Sequence, residues 1–371
     1  MREDDESEAR LVRLESLHEA GRFAEVITLG RSMYDLPGTT YVQGRIRLHL
    51  AMAYLQLGEP DLAKDPLAEA KGRFEAINDA EMMVHCMAAE ASVACLEQRS
   101  EAPSLAMKAL MACRSLSDVP DALELRILST LAGAQLLVGQ MSEALTTFEE
   151  AIKRADPVVD MRRLAKLLGN AGLACRDLGQ LETAVKYSTR AIALFEALHD
   201  LVSLAREENN LGCYLIDRGE LTSARSHLVR ALELFEKTNL LRARGLLLLS
   251  LCELCLAEGN LDQAMTYVDA AIEAGESQNE AWSTADARMW KGRIAARFGD
   301  DVGADDEFQR ALAILESSGM TGRLVQCHTG YAEILERRGD LPRAYGHLKT
   351  AFALVQSSFP ESEPAPDPAR S

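Results

Sequence analysis

Six glycines stand 40 residues apart, at Gly139, Gly179, Gly219, Gly259, Gly299 and Gly339, and an alanine follows each of them five residues later, at Ala144, Ala184, Ala224, Ala264, Ala304 and Ala344. A second alanine column, Ala151, Ala191, Ala231, Ala271, Ala311 and Ala351, keeps the same period. Columns in phase over so many turns require stacked copies of one supersecondary unit, each burying its apolar face against its neighbours. Because such an array grows without a single large core, 371 residues read as one elongated solenoid.

Within one unit, residues 206–218 show helical periodicity, Gly219 interrupts it, and residues 221–237 resume it with Leu221, Ala224, Leu228, Ala231, Leu232 and Phe235 on one face. The expected unit is helix, turn, helix, with the glycine ending the first helix in a left-handed conformation that a side chain disfavours. The two alanine columns lie seven residues apart on the second helix and mark a close approach where larger side chains would overpack. A small residue also recurs seven places before each turn glycine, at Ala132, Gly172, Gly212, Cys252, Gly292 and Ala332, giving the first helix a matching notch. Apolar residues make up 47% of the chain and aromatics 5%, an alanine- and leucine-rich balance that suits close-packed helices.

Gly58, Ala63 and Ala70 mark an earlier unit, and Gly21 with Phe23 a degenerate first one, so residues 1–40 are expected to form a cap and 41–356 the solenoid, most regular from about 119. Over 79–117 the glycine column falls at Arg99 and the alanine column at Ser104, beside Pro103, and the register there is open by a few residues. Nine units result. The prolines and poor apolar content of residues 357–371 predict a disordered tail.

The net charge of −17, from 57 acidic and 40 basic residues, opposes direct binding to a phosphate backbone. The acidic start, Met1 to Glu6, lacks the basic and apolar regions of a secretory signal, and residues 245–256 are too short and too polar at Glu253 to cross a bilayer. A cytoplasmic protein with free thiols is expected, its eight cysteines lying in helical patterns. No phosphate loop, nucleophile elbow, zinc-protease helix or dinucleotide fingerprint is present, and the seven histidines show no metal-ligand spacing. Cys252 and Cys255 have the spacing of a metal or redox pair, but Cys252 fills the small-residue notch and no second pair completes four ligands. Trp282 and Trp290 share one first helix, where core packing is the simplest role. Neither an enzyme nor a cofactor or metal site is expected.

Asn210-Leu211-Gly212, then Gly219, Ala224 and Ala231, resemble the signature of tetratricopeptide repeats, in the longer-unit form of MalT-like regulators, kinesin light chains and Rap- or PlcR-type peptide sensors. The resemblance implies an all-α, right-handed superhelix of about nine helical hairpins whose first helices line a concave groove. It also implies that the groove is lined 13, 10, 9, 6 and 3 residues before each turn glycine. At the first of these positions stand Arg126, Lys166, Arg206, Leu246, Asp286 and Gln326, the first three a short run of cations; Asn170 and Asn210, with Asn209 adjacent, offer amides suited to a peptide backbone. Leu246, Leu249 and Leu256 with Ile216 add an apolar stretch. The expected function is a non-catalytic scaffold that holds an extended, partly acidic peptide segment of a partner protein. The alternative is the ligand- or peptide-sensing half of a signalling or transcription-regulatory system, without a DNA-binding module of its own.

Overall fold

The computed structural model describes residues 2–238 and 241–358, with the side chains of 2–6, 241–243 and 357–358 set aside. All regular structure among the described residues is helical, in two compact units, Met1–Leu194 and Phe195–Ser371. The first holds α1 (Arg2–Glu19), α2 (Phe23–Ser32), α3 (Thr40–Gln56), α4 (Pro60–Ala76), α5 (Ala80–Leu96), α6 (Ala102–Arg114), α7 (Asp121–Leu137), α8 (Met141–Arg154) and α9 (Met161–Asp177). The unit boundary falls within α10 (Leu181–Ala197). The second holds α11 (Leu201–Asp217), α12 (Leu221–Thr238), α13 (Leu241–Ala257), α14 (Leu261–Ser277), α15 (Ala281–Phe298), α16 (Asp301–Ser318), α17 (Thr321–Arg337) and α18 (Leu341–Ser358). The proline-rich tail expected at 357–371 lies outside the described residues from 359 onward, and α18 itself runs to Ser358.

Each hairpin turns on one left-handed residue. Gly219, at φ +78°, donates its N–H to Ile216 at 2.9 Å while Glu220 N–H reaches Leu215 at 2.8 Å, closing the last turn of α11. In the irregular region this turn residue is Gln98, not Arg99: its φ is +54°, Gln98 N–H reaches Cys95 at 3.0 Å and Arg99 N–H reaches Ala94 at 2.9 Å, the same bond pattern. The alanine columns there are Ala102 and Ala109, both buried, not Ser104: Ala102 stands four residues after the turn residue, where Ala63 stands five after Gly58. A second left-handed series, Asn78, His199, Asn279 and Gly319, joins one hairpin to the next and halves the period into two 20-residue helical segments. Asparagine and glycine tolerate that conformation best, so this column carries a weaker sequence signal than the first.

Side-chain size sets how closely the helices approach. Ala224, Ala231, Ala264, Ala271, Ala304 and Ala311 are fully buried. Opposite them, a Cβ added at Gly212 would stand 2.6 Å from Leu228, and one at Gly292 would stand 2.8 Å from the Phe308 ring. Cys252 in the same notch is fully buried, as is Cys255, and burial pushes the Cys252 thiol up to about 12, as expected for a small apolar filler. Within each unit, odd-numbered helices touch the next odd-numbered helix, α3 to α5 to α7 to α9 and α11 to α13 to α15 to α17, whereas even-numbered helices touch only their odd-numbered neighbours. Neighbours meet on the inner side of a curved stack, so the odd-numbered helices line the inner face of each unit.

Gly292→Ala is expected to lower stability by about 1–3 kcal/mol, because Phe308 is fully buried and has no room to retreat. Gly346→Ala, on an exposed stretch of α18 with nothing within 4 Å, is expected to raise it by about 0.5–1 kcal/mol. Denaturant melts of the two variants against the parent chain check both signs. Gln98→Gly should also stabilise, by up to about 1 kcal/mol, since glycine takes φ +54° without strain; a loss of stability would refute the assigned register. Burial, then the charges of His49 and Arg126, lowers the His18 pKa to about 4 from an ordinary 6.5. The folded chain thus resists protonating a group that the unfolded chain protonates freely, and this contribution to stability, complete above pH 6.5, falls away toward pH 4. Melting of His18→Gln over that range should drop less steeply than that of the parent.

Candidate functional site

In the second unit the inner face opens into a cleft of about 410 Å³ between α15 and α17. Asp286, Trp290, Arg293, Gln326 and Glu333 line it, and all five stand 13, 9 or 6 residues before Gly299 or Gly339. The Arg293 guanidinium lies 5.2 Å from the Trp290 ring centroid and crosses Gly330, where a Cβ would stand 2.9 Å from its Nη2. A glycine in α17 therefore lets the cation lie flat across the cleft. Arg323 stands over the Trp282 ring at 5.1 Å and donates to Asp286. Both tryptophans are half-buried: Trp290 packs against the α13–α14 core with one side and lines the cleft with the other, a role beyond the core packing expected of it.

On α11 and α13, Arg206 is exposed and Asn210 half-buried, with its Nδ2 donating to Glu207 Oε2 at 3.2 Å. Leu246 is 46% exposed on the neighbouring helix, a solvent-facing leucine in an apolar helix. The other expected apolar positions differ. Leu249 is buried in the core with Val268 and Ala271 of α14, Leu256 packs half-buried against the same core, and Ile216 is half-buried. Asn209 is buried with its Oδ1 unpartnered, so it turns inward where Asn210 turns out. A helix advances by about 100° per residue, and adjacent positions cannot share one face.

In the first unit Lys166 and Asn170 are exposed on α9, which packs beside α7. Arg126 of α7 is not an exposed cation. Its Nη1 donates to the Met52 sulfur at 3.4 Å and its Nη2 meets His85 Nδ1 at 2.8 Å, across α5 and α3. Counted back 13 from the corrected turn at Gln98, His85 occupies the column of Arg126, and Arg45 holds the same place before Gly58. These three with His49, Leu48 and Met52 border a cavity of about 320 Å³. Burial and the charge of Arg126 lower His85 to about 3, and burial lowers Arg126 to about 10. His85 escapes a sequence reading because the turn residue at 98 is not glycine, whereas Arg45 stands 13 residues before Gly58 and can be counted. Among the described residues no group of three or more histidine, cysteine or acidic side chains is arranged to hold a metal, and no helix is long and apolar enough to cross a membrane.

Residues 163–237 match one family model described as tetratricopeptide repeat, and residues 209–281 and 256–318 match a second with the same description. No curated protein matches the sequence. Among solved structures, the apo form of RapI superimposes with a TM-score of 0.70 at 12% identity, covering 95% of this chain and 98% of that one. The apo form of the quorum sensor NprR from B. thuringiensis superimposes at 0.68 and 14% identity, covering 95% and 99%. NprR in complex with its cognate peptide NprX gives 0.63 at 14%, covering 95% and 98%. At such identities the likeness is one of fold. Residues 163–318 of the chain are tetratricopeptide repeats.

Proposed function

We propose that the chain is a non-catalytic scaffold that holds an extended peptide segment of a partner protein on the inner face of its second unit. One observation carries this reading: the columns that line the cleft between α15 and α17 are the positions, counted from the turn glycines, through which helical repeats of this kind present side chains to a groove. The chemistry along that face suits a peptide. Asn210, Gln326 and Thr329 offer donors and acceptors to a backbone, Arg206 and Arg293 attract acidic side chains, and Leu246 and Trp290 offer apolar and ring contacts. In the first unit, Lys166 and Asn170 present the same pair of chemistries on α9. Asn209 and Leu249 act from beneath, by packing, and Ile216 and Leu256 support the face from its half-buried edge. The peptide complex of NprR shows one protein of similar fold with a bound peptide, which favours the reading without assigning a ligand.

The net charge of −17 argues against nucleic acid as the direct partner, and a cytoplasmic setting fits eight free thiols, seven of them buried. Sensing is the alternative. A sensor should become more compact when its peptide binds, which small-angle scattering reads directly, whereas a scaffold should keep its dimensions.

A synthetic array of acidic and apolar decapeptides, probed with the full chain, should yield binders that weaken by about tenfold or more with Arg206→Glu and with Trp290→Ala. Far-UV circular dichroism and melting of Arg206→Glu should match the parent. Equal retention of the selected peptides by both variants would refute the proposal.

A further inference from the structure

The first unit holds a cation that no carboxylate answers. Arg126 borders the cavity of about 320 Å³, and its two terminal nitrogens meet a thioether and an imidazole, both neutral. Among the described residues no acidic side chain pairs with it. Burial of a guanidinium without a counter-charge is costly, and the usual remedies are an ion pair or a bound anion. The neighbouring cation is already satisfied: Arg45 Nη2 stands 2.5 Å from Glu15, and its Nη1 donates to the Tyr41 hydroxyl at 2.7 Å.

A second polar group on the wall is turned into the protein and leaves Arg126 to act alone. His49, on the wall of that cavity, buries its Nδ1 without any hydrogen-bond partner. Its Nε2 lies 3.7 Å from Glu15, so the two ring nitrogens are unequally served. A guanidinium with no acidic partner thus borders a space walled in part by Leu48, Met82 and Leu123. The only acidic lining residue is Glu81, 3.9 Å from His85 Nε2, which disfavours a doubly charged guest.

We propose that this cavity binds a single carboxylate carried on a short apolar body, with Arg126 as its counter-charge and Leu48, Met82 and Leu123 around the hydrocarbon. The planar fork of a guanidinium matches a carboxylate in two parallel hydrogen bonds. Two sources share this chemistry, the free C-terminus of a peptide ending in an aliphatic residue and a small aliphatic acid. The site stands apart from the peptide face of the second unit, so either can fail without the other.

Calorimetry on the full chain with hexanoate, hexanamide, inorganic phosphate, and the tripeptide Ala-Ala-Leu as free acid and as amide tests this. Hexanoate should bind one to one, with hexanamide and phosphate weaker by about tenfold or more. Arg126→Met should lose hexanoate binding by a similar factor while melting no lower than the parent, because an unanswered buried charge has gone. Ala122→Trp, at an exposed residue bordering the cavity, should block hexanoate with Arg126 in place, and serves if Arg126→Met does not fold. A tripeptide acid that outbinds both its amide and hexanoate identifies a peptide end as the guest; hexanoate binding tighter than the tripeptide identifies a small acid. Phosphate binding as well as hexanoate, hexanoate retained by either variant, or no binding of any carboxylate up to about 10 mM overturns the proposal.

Discussion

Close approach of the two helices in each hairpin is the constraint on which the rest of this structure depends. Gly212 against Leu228 and Gly292 against Phe308 leave no room for even a methyl group, and the fully buried alanines across from them leave none on the other side. Two consequences follow. The first is that each hairpin becomes a nearly rigid unit whose remaining apolar surface is satisfied by the next hairpin, as in any one-dimensional array. The second is that long side chains are displaced to the odd-numbered helices' inner face, since the contact between paired helices accepts only small ones. Trp290, Arg293, Arg126 and Lys166 all sit there, and the chemistry of the chain collects on the surface that the packing leaves free.

Much of this was legible in the residues because the demand on a turn is stereochemical. A left-handed residue ends each first helix, and where it is glycine it marks its own position, so from Gly139 onward the helices, notches and groove columns can all be counted. At Gln98 the same backbone is built with an ordinary side chain, and the buried alanine that follows stands one residue nearer. Nothing in local composition reveals either fact, and both conceal the alignment of His85 with Arg45 and Arg126. Burial within a column is also hidden from spacing alone. Leu246 and Leu249 differ by three residues and look alike in sequence, yet one faces solvent and the other fills the α13–α14 core, because only the position of the neighbouring helix decides which is covered.

The contrast between the two inner faces is electrostatic. In the second unit several charges near the cleft are matched, Arg323 with Asp286, Arg288 with Glu307 and Glu276, and Lys291 with Asp269 and Glu307, while Arg293 lies over the Trp290 ring. The more exposed of these pairs contribute little to stability, but all of them hold side chains in defined directions. In the first unit Arg126 is half-buried and the partners of its two terminal nitrogens are neutral, while His18 and His85 are held below their ordinary pKa, first by burial and then by neighbouring charge, that of Arg126 included. Additional protons there would raise the unanswered positive charge, so acid works against the empty cavity and in favour of a filled one.

These differences imply different modes of recognition on one repeated scaffold. An open face of matched charges, amides and a ring selects a segment by many modest contacts, each adjustable by a single side chain, without disturbing the hairpins beneath. An enclosed cation selects by one strong contact and by exclusion of water, and it requires the anion to bring enough apolar surface to cover the walls. The columns that generate the two are identical in register: Arg45, His85 and Arg126 in the first unit, Arg206, Leu246, Asp286 and Gln326 in the second. In a solenoid whose backbone is set by glycines and alanines, the choice of side chain thirteen residues before a turn is free of packing duty, and that freedom lets a single position define an ion site in one hairpin and a peptide contact in another.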